Sequence, residues 1–344
     1  MIKLKKILST ALFVCITGML MVGCSGNTEG TAKKRIVRVS LSQSEAHPEY
    51  VGAVEFKNYI EAELGDKYEV QIYPNELLGS QTKAIELTQT GAIDFTIAGT
   101  PNLEIFADVY EVFSMPYLFT SEEAYFATMN DTDYMNEIYA STEETGLQVV
   151  TWYNVGTRNF YAKEAINTLD DLKGLKIRVQ QSPASVKMAQ AFGSAASPMS
   201  FGEVYTAIQQ GVIDGAENNE LALTDNKHGE VAKYFTYSKH QMIPDVMIAN
   251  YKFLNGLSDE EREVFEEAAR RSTEVELQNY EETIQEVKRT AKEDMGVTFI
   301  EPDISLFKEK VKGVQQEMLD ANPNIRDLYD HIQAYNAEYE KEAE

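Results

Sequence analysis

The sequence predicts an α/β protein of two similar lobes. Three observations predict it. Residues 35–98 alternate strand and helix patterns in the order β-α-β-α-β, which implies a mainly parallel sheet covered by helices. The same kind of alternation restarts over residues 148–216. Between Ser258 and Met295 there is no Gly and no Pro, and apolar residues recur at helical spacing.

The elements follow in order. Arg35–Ser42 alternates apolar and polar residues, as a half-buried strand does. Pro48 suits the first turn of a helix running to about Glu63. Tyr68–Tyr73 is a second strand, stopped by Pro74-Asn75. Ser80 caps a helix to about Thr90, closed by Gly91, and Asp94–Ala98 is a third strand. The second set comprises strands at Gln148–Tyr153, Lys176–Val179 and Ile213–Ala216, with helices from Ser182 to Phe192 and from Ser200 to Gln210. Ser200 and Glu203 have capping-box spacing, as do Ser258 and Glu261. The stretch beginning at Ser258 reads as one helix, or two joined without a breaker. At about 37 residues it would reach about 55 Å, enough for a spine across both lobes.

Composition narrows the function. The 344 residues carry 31 Lys plus Arg against 55 Asp plus Glu, a formal net charge of −24. Nucleic acid is a poor partner for such a chain, because phosphate binding needs clustered cations. So is an anionic membrane surface. Both cysteines, Cys15 and Cys24, lie near the N-terminus, which excludes a disulfide scaffold or a thiolate metal site in the body.

The N-terminus reads as an address. Lys3, Lys5 and Lys6 precede an apolar run from Ile7 to Val22, the pattern of a secretory signal. Met21-Val22-Gly23-Cys24 resembles a bacterial lipobox, in which the Cys is lipidated. The expectation is a lipoprotein signal peptide over residues 1–23, then lipidated Cys24 and a flexible tether over 24–34, holding the protein to the outside of the cell membrane. An ordinary signal peptide or an uncleaved anchor is the alternative.

Catalytic and metal-site motifs are missing from the sequence, and no catalytic residue, metal or cofactor is expected. The four histidines, His47, His228, His240 and His331, are dispersed. The scarce arginines say more. Arg158 and Arg178 stand where loops meet predicted strands, and Arg178 alternates with Ile177 and Val179. A charge on a buried strand face needs a partner, either a protein carboxylate or an anionic ligand.

The ordered motifs carry a family resemblance. They are N-E-L-L-G-S (75–80), G-A-I-D-F-T (91–96), M-P-Y-L-F (115–119), G-T-R-N-F-Y (156–161), D-D-L-K-G-L-K-I-R-V-Q (170–180) and P-M-S-F-G-E-V-Y-T-A-I-Q-Q-G-V-I-D-G-A-E-N (198–218). Together they resemble the extracytoplasmic solute receptors of TRAP transporters. The resemblance implies a two-lobed, clamshell fold like that of periplasmic binding proteins, with the spine helix spanning both lobes. It implies a small organic acid as ligand and a sodium-coupled membrane permease as partner. Expected boundaries are 35–155 plus 244–283 for the first lobe, 156–243 plus 284–320 for the second, and a C-terminal helix over 321–344.

The resemblance also implies roles. Arg178 would bind the ligand carboxylate through its planar fork, Arg158 would add a second positive contact, Asn218 would donate to the same end, and Phe201 would pack on the carbon face. Asn219 stands where the family often has Pro. In the other lobe, Glu45 and His47 could bond sugar hydroxyls, and Thr100 lies in the loop after the third strand. That loop, Gly99-Thr100-Pro101-Asn102, lacks the charges of sialic-acid receptors. The segment S-E-A-H-P-E-Y (44–50) looks like the loop of members that bind hexuronates. A C4-dicarboxylate receptor is the rival within the family; a secreted α/β enzyme acting on a sugar acid and a receptor for an ATP-driven importer are rivals outside it.

Overall fold

The computed structural model describes residues 33–343, so the signal segment and Cys24 lie outside the described residues. Eleven strands are described, in two sheets. The first sheet has the order β2-β1-β3-β10-β4, from β1 (Arg35–Ser40), β2 (Tyr68–Tyr73), β3 (Phe95–Gly99), β4 (Leu147–Tyr153) and β10 (Asp245–Asn250). The second has the order β11-β9-β5-β8-β6-β7. Its strands are β5 (Thr157–Ala162), β6 (Lys176–Val179), β7 (Ala195–Pro198), β8 (Gly215–Asn218), β9 (Tyr234–Met242) and β11 (Thr298–Ile300).

Both sheets are mixed rather than mainly parallel. β1 runs parallel to β2 and β3, but β10 lies antiparallel between β3 and β4. β6 runs parallel to β7 and β8, while β5 is antiparallel to β8 and β9. The cause is connectivity. β10 reaches the first sheet on its way back from the second, so it runs against its neighbours. The third strand expected in the second set, Ile213–Ala216, begins two residues later, at Gly215.

Helices Pro48–Leu64 and Gln81–Gln89 begin where the turn chemistry placed them; Ser80 accepts from the Lys83 amide. The spine is one helix, Asp259–Glu293, with a complete capping box between Ser258 and Glu261. Its first half buries Phe265, Ala268 and Ala269 among Val37, Val39, Phe56 and Phe95 of the first sheet's core. Its far end buries Ala291 with Ala216 and Phe235 of the second. Close approach to helix Pro48–Leu64 depends on Gly52, where a Cβ would sit 2.7 Å from the Ser272 carbonyl oxygen. Thirty-five residues give about 52 Å, so a single element reaches both cores.

A third apolar cluster joins the sheets, including Trp152, Phe160, Phe192, Phe307 and Met318. Trp152 packs edge-on against Tyr125 and Phe126 and is a core residue. The C-terminal segment forms two helices, Ser305–Ala321 and Arg326–Ala343. Buried Asn336 ties the second of them down, donating to the Leu118 carbonyl and accepting from the Thr120 amide.

Candidate ligand-binding site

Strand ends from both sheets converge on one small cavity lined by Arg158, Arg178, Gln180, Phe201 and Asn218 on one side and Gln43, Gln81 and Asp245 on the other, with Val155 between them. The first group comes from β5, β6, β8 and the turn at Phe201–Glu203; the second from the end of β1, a helix start and the start of β10. This is the crevice that carboxyl ends of strands form in α/β folds. The walls nearly touch. At Gly99, at the end of β3, a Cβ would lie 2.7 Å from Gln180 Nε2 and 3.0 Å from Asp245 Oδ1. The cavity is about 20 Å³, room for about one water, so an acid of sugar size enters only with the walls apart.

The two arginines differ in their partners. Arg158 is consumed internally: its Nε donates to Glu217 Oε2 at 2.5 Å, Nη2 to the Glu217 carbonyl and Nη1 to Asn218 Oδ1. Burial alone would raise the Glu217 carboxyl; Arg158 and His240 overcome it and hold it at about 2. His240 sits 3.8 Å from Glu217, stacked on Phe160, and burial keeps its pKa low. Arg178, equally buried, has no carboxylate partner among the described residues. Its Nε and Nη2 both donate to the Met199 carbonyl, and the Phe201 ring lies 5.5 Å from its guanidinium carbon. Burial lowers the Arg178 pKa, with the Glu217 charge opposing. Arg178 is thus a desolvated cation at the cleft that bonds only a backbone carbonyl, the arrangement that an anion completes.

The facing wall is acidic. Burial pushes Asp245 up to about 6. Behind it, Glu49 is fully buried and raised further, by burial first and then by Asp245 and Glu276. Both Glu49 oxygens, Gln43 Oε1 and Gln180 Oε1 are buried without hydrogen-bond partners. Buried acceptors of this kind ask for donors.

Four residues singled out from the sequence line the cavity together: Arg158, Arg178, Phe201 and Asn218. Three others do not. Glu45 is exposed to solvent and does not line the cleft. His47 is the N-cap of helix Pro48–Leu64, its Nδ1 accepting the Glu49 amide, because the chain turns inward there. Thr100 is buried behind the lining, its amide donating to the Pro244 carbonyl. Sequence reasoning missed Gln43, Gln81, Gln180, Glu217 and Asp245. Gln180 had a readable signal: two residues beyond Arg178, it shares that face of the chain.

A larger cavity of about 720 Å³ lies against the spine helix, lined in part by Phe126, Tyr237, Tyr280, Ile284 and Lys288. Of its two lysines, Lys288 is paired with Glu220 at 3.3 Å and Lys239 is exposed, so this cavity offers no unpaired buried cation. Among the described residues no cluster of His, Cys, Asp and Glu is placed to hold a metal.

Comparison with known proteins gives a consistent answer. The family model of the bacterial extracellular solute-binding proteins, family 7 (DctP), matches residues 39–322. An uncharacterized protein from Salmonella typhimurium, YiiZ, is 39% identical over 80% of this chain and 84% of its own. A TRAP periplasmic solute-binding protein from Anaerococcus prevotii, solved with bound α/β-D-glucuronate, is 50% identical, with a TM-score of 0.87, covering 89% of this chain and 99% of that one. One from a Sulfitobacter species, solved with β-D-galacturonate, is 30% identical, with a TM-score of 0.82 over 86% and 98%. The chain belongs to the DctP family, the extracellular solute-binding proteins of TRAP transporters.

Proposed function

We propose that this receptor binds a hexuronate, D-glucuronate or D-galacturonate, and delivers it to a membrane permease for import. Arg178 carries the reading. A buried guanidinium that bonds only a backbone carbonyl gains most from a carboxylate, and Arg178 presents such a guanidinium to the cleft between the walls. The facing wall narrows the class. A second carboxylate, as in a C4-dicarboxylate, would be brought against Asp245 with Glu49 behind it. Hydroxyl groups instead donate to Asp245, Gln43 and Gln180, which line the cleft. An acid at one end and hydroxyls round a ring match a sugar acid, and relatives solved with glucuronate and galacturonate support the choice. Lipidation at Cys24 would keep the receptor beside its permease.

A thermal-shift and calorimetric panel tests this. D-glucuronate and D-galacturonate are expected to raise the melting temperature; at a hundred times Kd, binding adds about 2.7 kcal/mol. A clear shift with succinate and none with either uronate overturns the ligand assignment.

A further inference from the structure

The turn after β2 carries a carboxylate across the cleft mouth. The Gly202 amide donates to Glu76 Oε2 at 3.1 Å, joining the turn after β2 to the turn that carries Phe201.

The turn is built to hold this position. Asn75 and Glu76 are consecutive non-glycine residues at φ 56° and 55°, a conformation that costs free energy and persists only where surroundings enforce it. Two bonds enforce it: the Asn75 amide donates to the Gln43 carbonyl and the Glu76 amide to the Leu41 carbonyl. The turn is thereby fixed to the same segment that supplies Gln43 to the cleft. Glu76 is partly buried at the rim, and its Oε1 is buried without a partner. Burial raises its pKa, while the Gly202 amide and the Arg178 charge oppose. On the other side a Cβ at Gly202 would lie 2.7 Å from Glu76 Oε2, so a side chain there would displace the carboxylate from the amide. Gly202 follows Phe201, which lines the cleft beside Arg178.

We propose that Glu76 is a positioning residue that latches the cleft shut through the Gly202 amide. The bond exists only when the walls meet, so it stabilises the closed state and leaves the open state unchanged. It therefore slows ligand escape and leaves capture untouched. The choice of probe rests on the hexuronate reading; the latch does not.

Two variants attack the contact from opposite sides: Glu76→Ala removes the acceptor, and Gly202→Ala inserts a methyl group into it. Stopped-flow binding of D-glucuronate to each is expected to show dissociation faster by about tenfold, with association within about twofold of wild type. Glu76→Gln, which keeps an acceptor oxygen without the charge, should fall between Glu76→Ala and wild type. Small-angle scattering of the ligand-free proteins should give a larger radius of gyration for both alanine variants. Unchanged dissociation together with an unchanged radius overturns the latch. The scattering arm uses no ligand, so if wild type ignores D-glucuronate, the uronate reading fails while the latch is still decided.

Discussion

The two walls of the cleft answer the same problem, a buried polar surface, in opposite ways. The wall from the second sheet is cationic and almost fully satisfied: Arg158 is neutralised by Glu217, Asn218 accepts from Arg158, and one charge, Arg178, is left over. The wall from the first sheet is acidic and unsatisfied, with Asp245 facing the cleft and Glu49 and Gln43 oxygens lacking partners. The difference teaches how such a site divides its labour. On the proposed reading, a single uncompensated cation would fix one end of the ligand, whereas a set of idle acceptors would select what surrounds it.

The largest effect should follow from unbalancing the satisfied wall. Glu217→Ala leaves Arg158 buried without its counter-charge and should destabilise the fold by about 3–5 kcal/mol, read by thermal or denaturant unfolding. A stability near wild type would mean that Arg158 is not held by Glu217. Next comes the leftover charge. Arg178→Ala should weaken D-glucuronate binding by about 2–5 kcal/mol in calorimetry while the fold stays intact; near-normal affinity would remove Arg178 from the site.

The acidic wall is tested by pH. The folded protein holds the Asp245 proton up to about pH 6, whereas an unfolded aspartate loses it near its ordinary value of 3.8. The unfolded state thus binds fewer protons in that window. The stability due to this proton is complete below about pH 4 and is lost as the pH rises toward 6. Asp245→Asn, which mimics the protonated form, should gain stability relative to wild type over that window, by on the order of 1–3 kcal/mol, then stay level. A pH-independent difference would mean that Asp245 is ionised throughout. The smallest effect belongs to the exposed turn: Glu45→Ala should leave affinity unchanged and stability within about 0.5 kcal/mol.

Most of the cationic wall was legible in the sequence and most of the acidic wall was not. Arg158, Arg178, Phe201 and Asn218 fall within one run of motifs, although of the four only Arg178 lies on a strand that the alternation predicted. Asp245 comes from a strand that enters the first sheet only after the chain has left it, and no local pattern announces that neighbour. Glu45 and His47 had the right chemistry in the right loop. The turn into the helix sends Glu45 outward, while His47 spends its Nδ1 on a cap. Local capping and periodicity carried helix starts to within a residue, as at Ser80 and Ser258. Which carboxylates meet is a property of the topology, and a sequence with 55 of them hides the few that matter.

The position of β10 has a consequence for how this chain is made. β10 is an interior strand of the first sheet, hydrogen-bonded to β3 on one side and β4 on the other, yet it is synthesised after the whole of β5 to β9. A nascent chain that stops short of residue 250 therefore cannot complete the sheet its first strands began; β3 and β4 wait with open edges. Closing that gap demands contacts between residues about 150 apart in sequence, and such non-local pairing is slow. Premature folding at the ribosome is thereby disfavoured, which suits a polypeptide whose family works outside the cytoplasm.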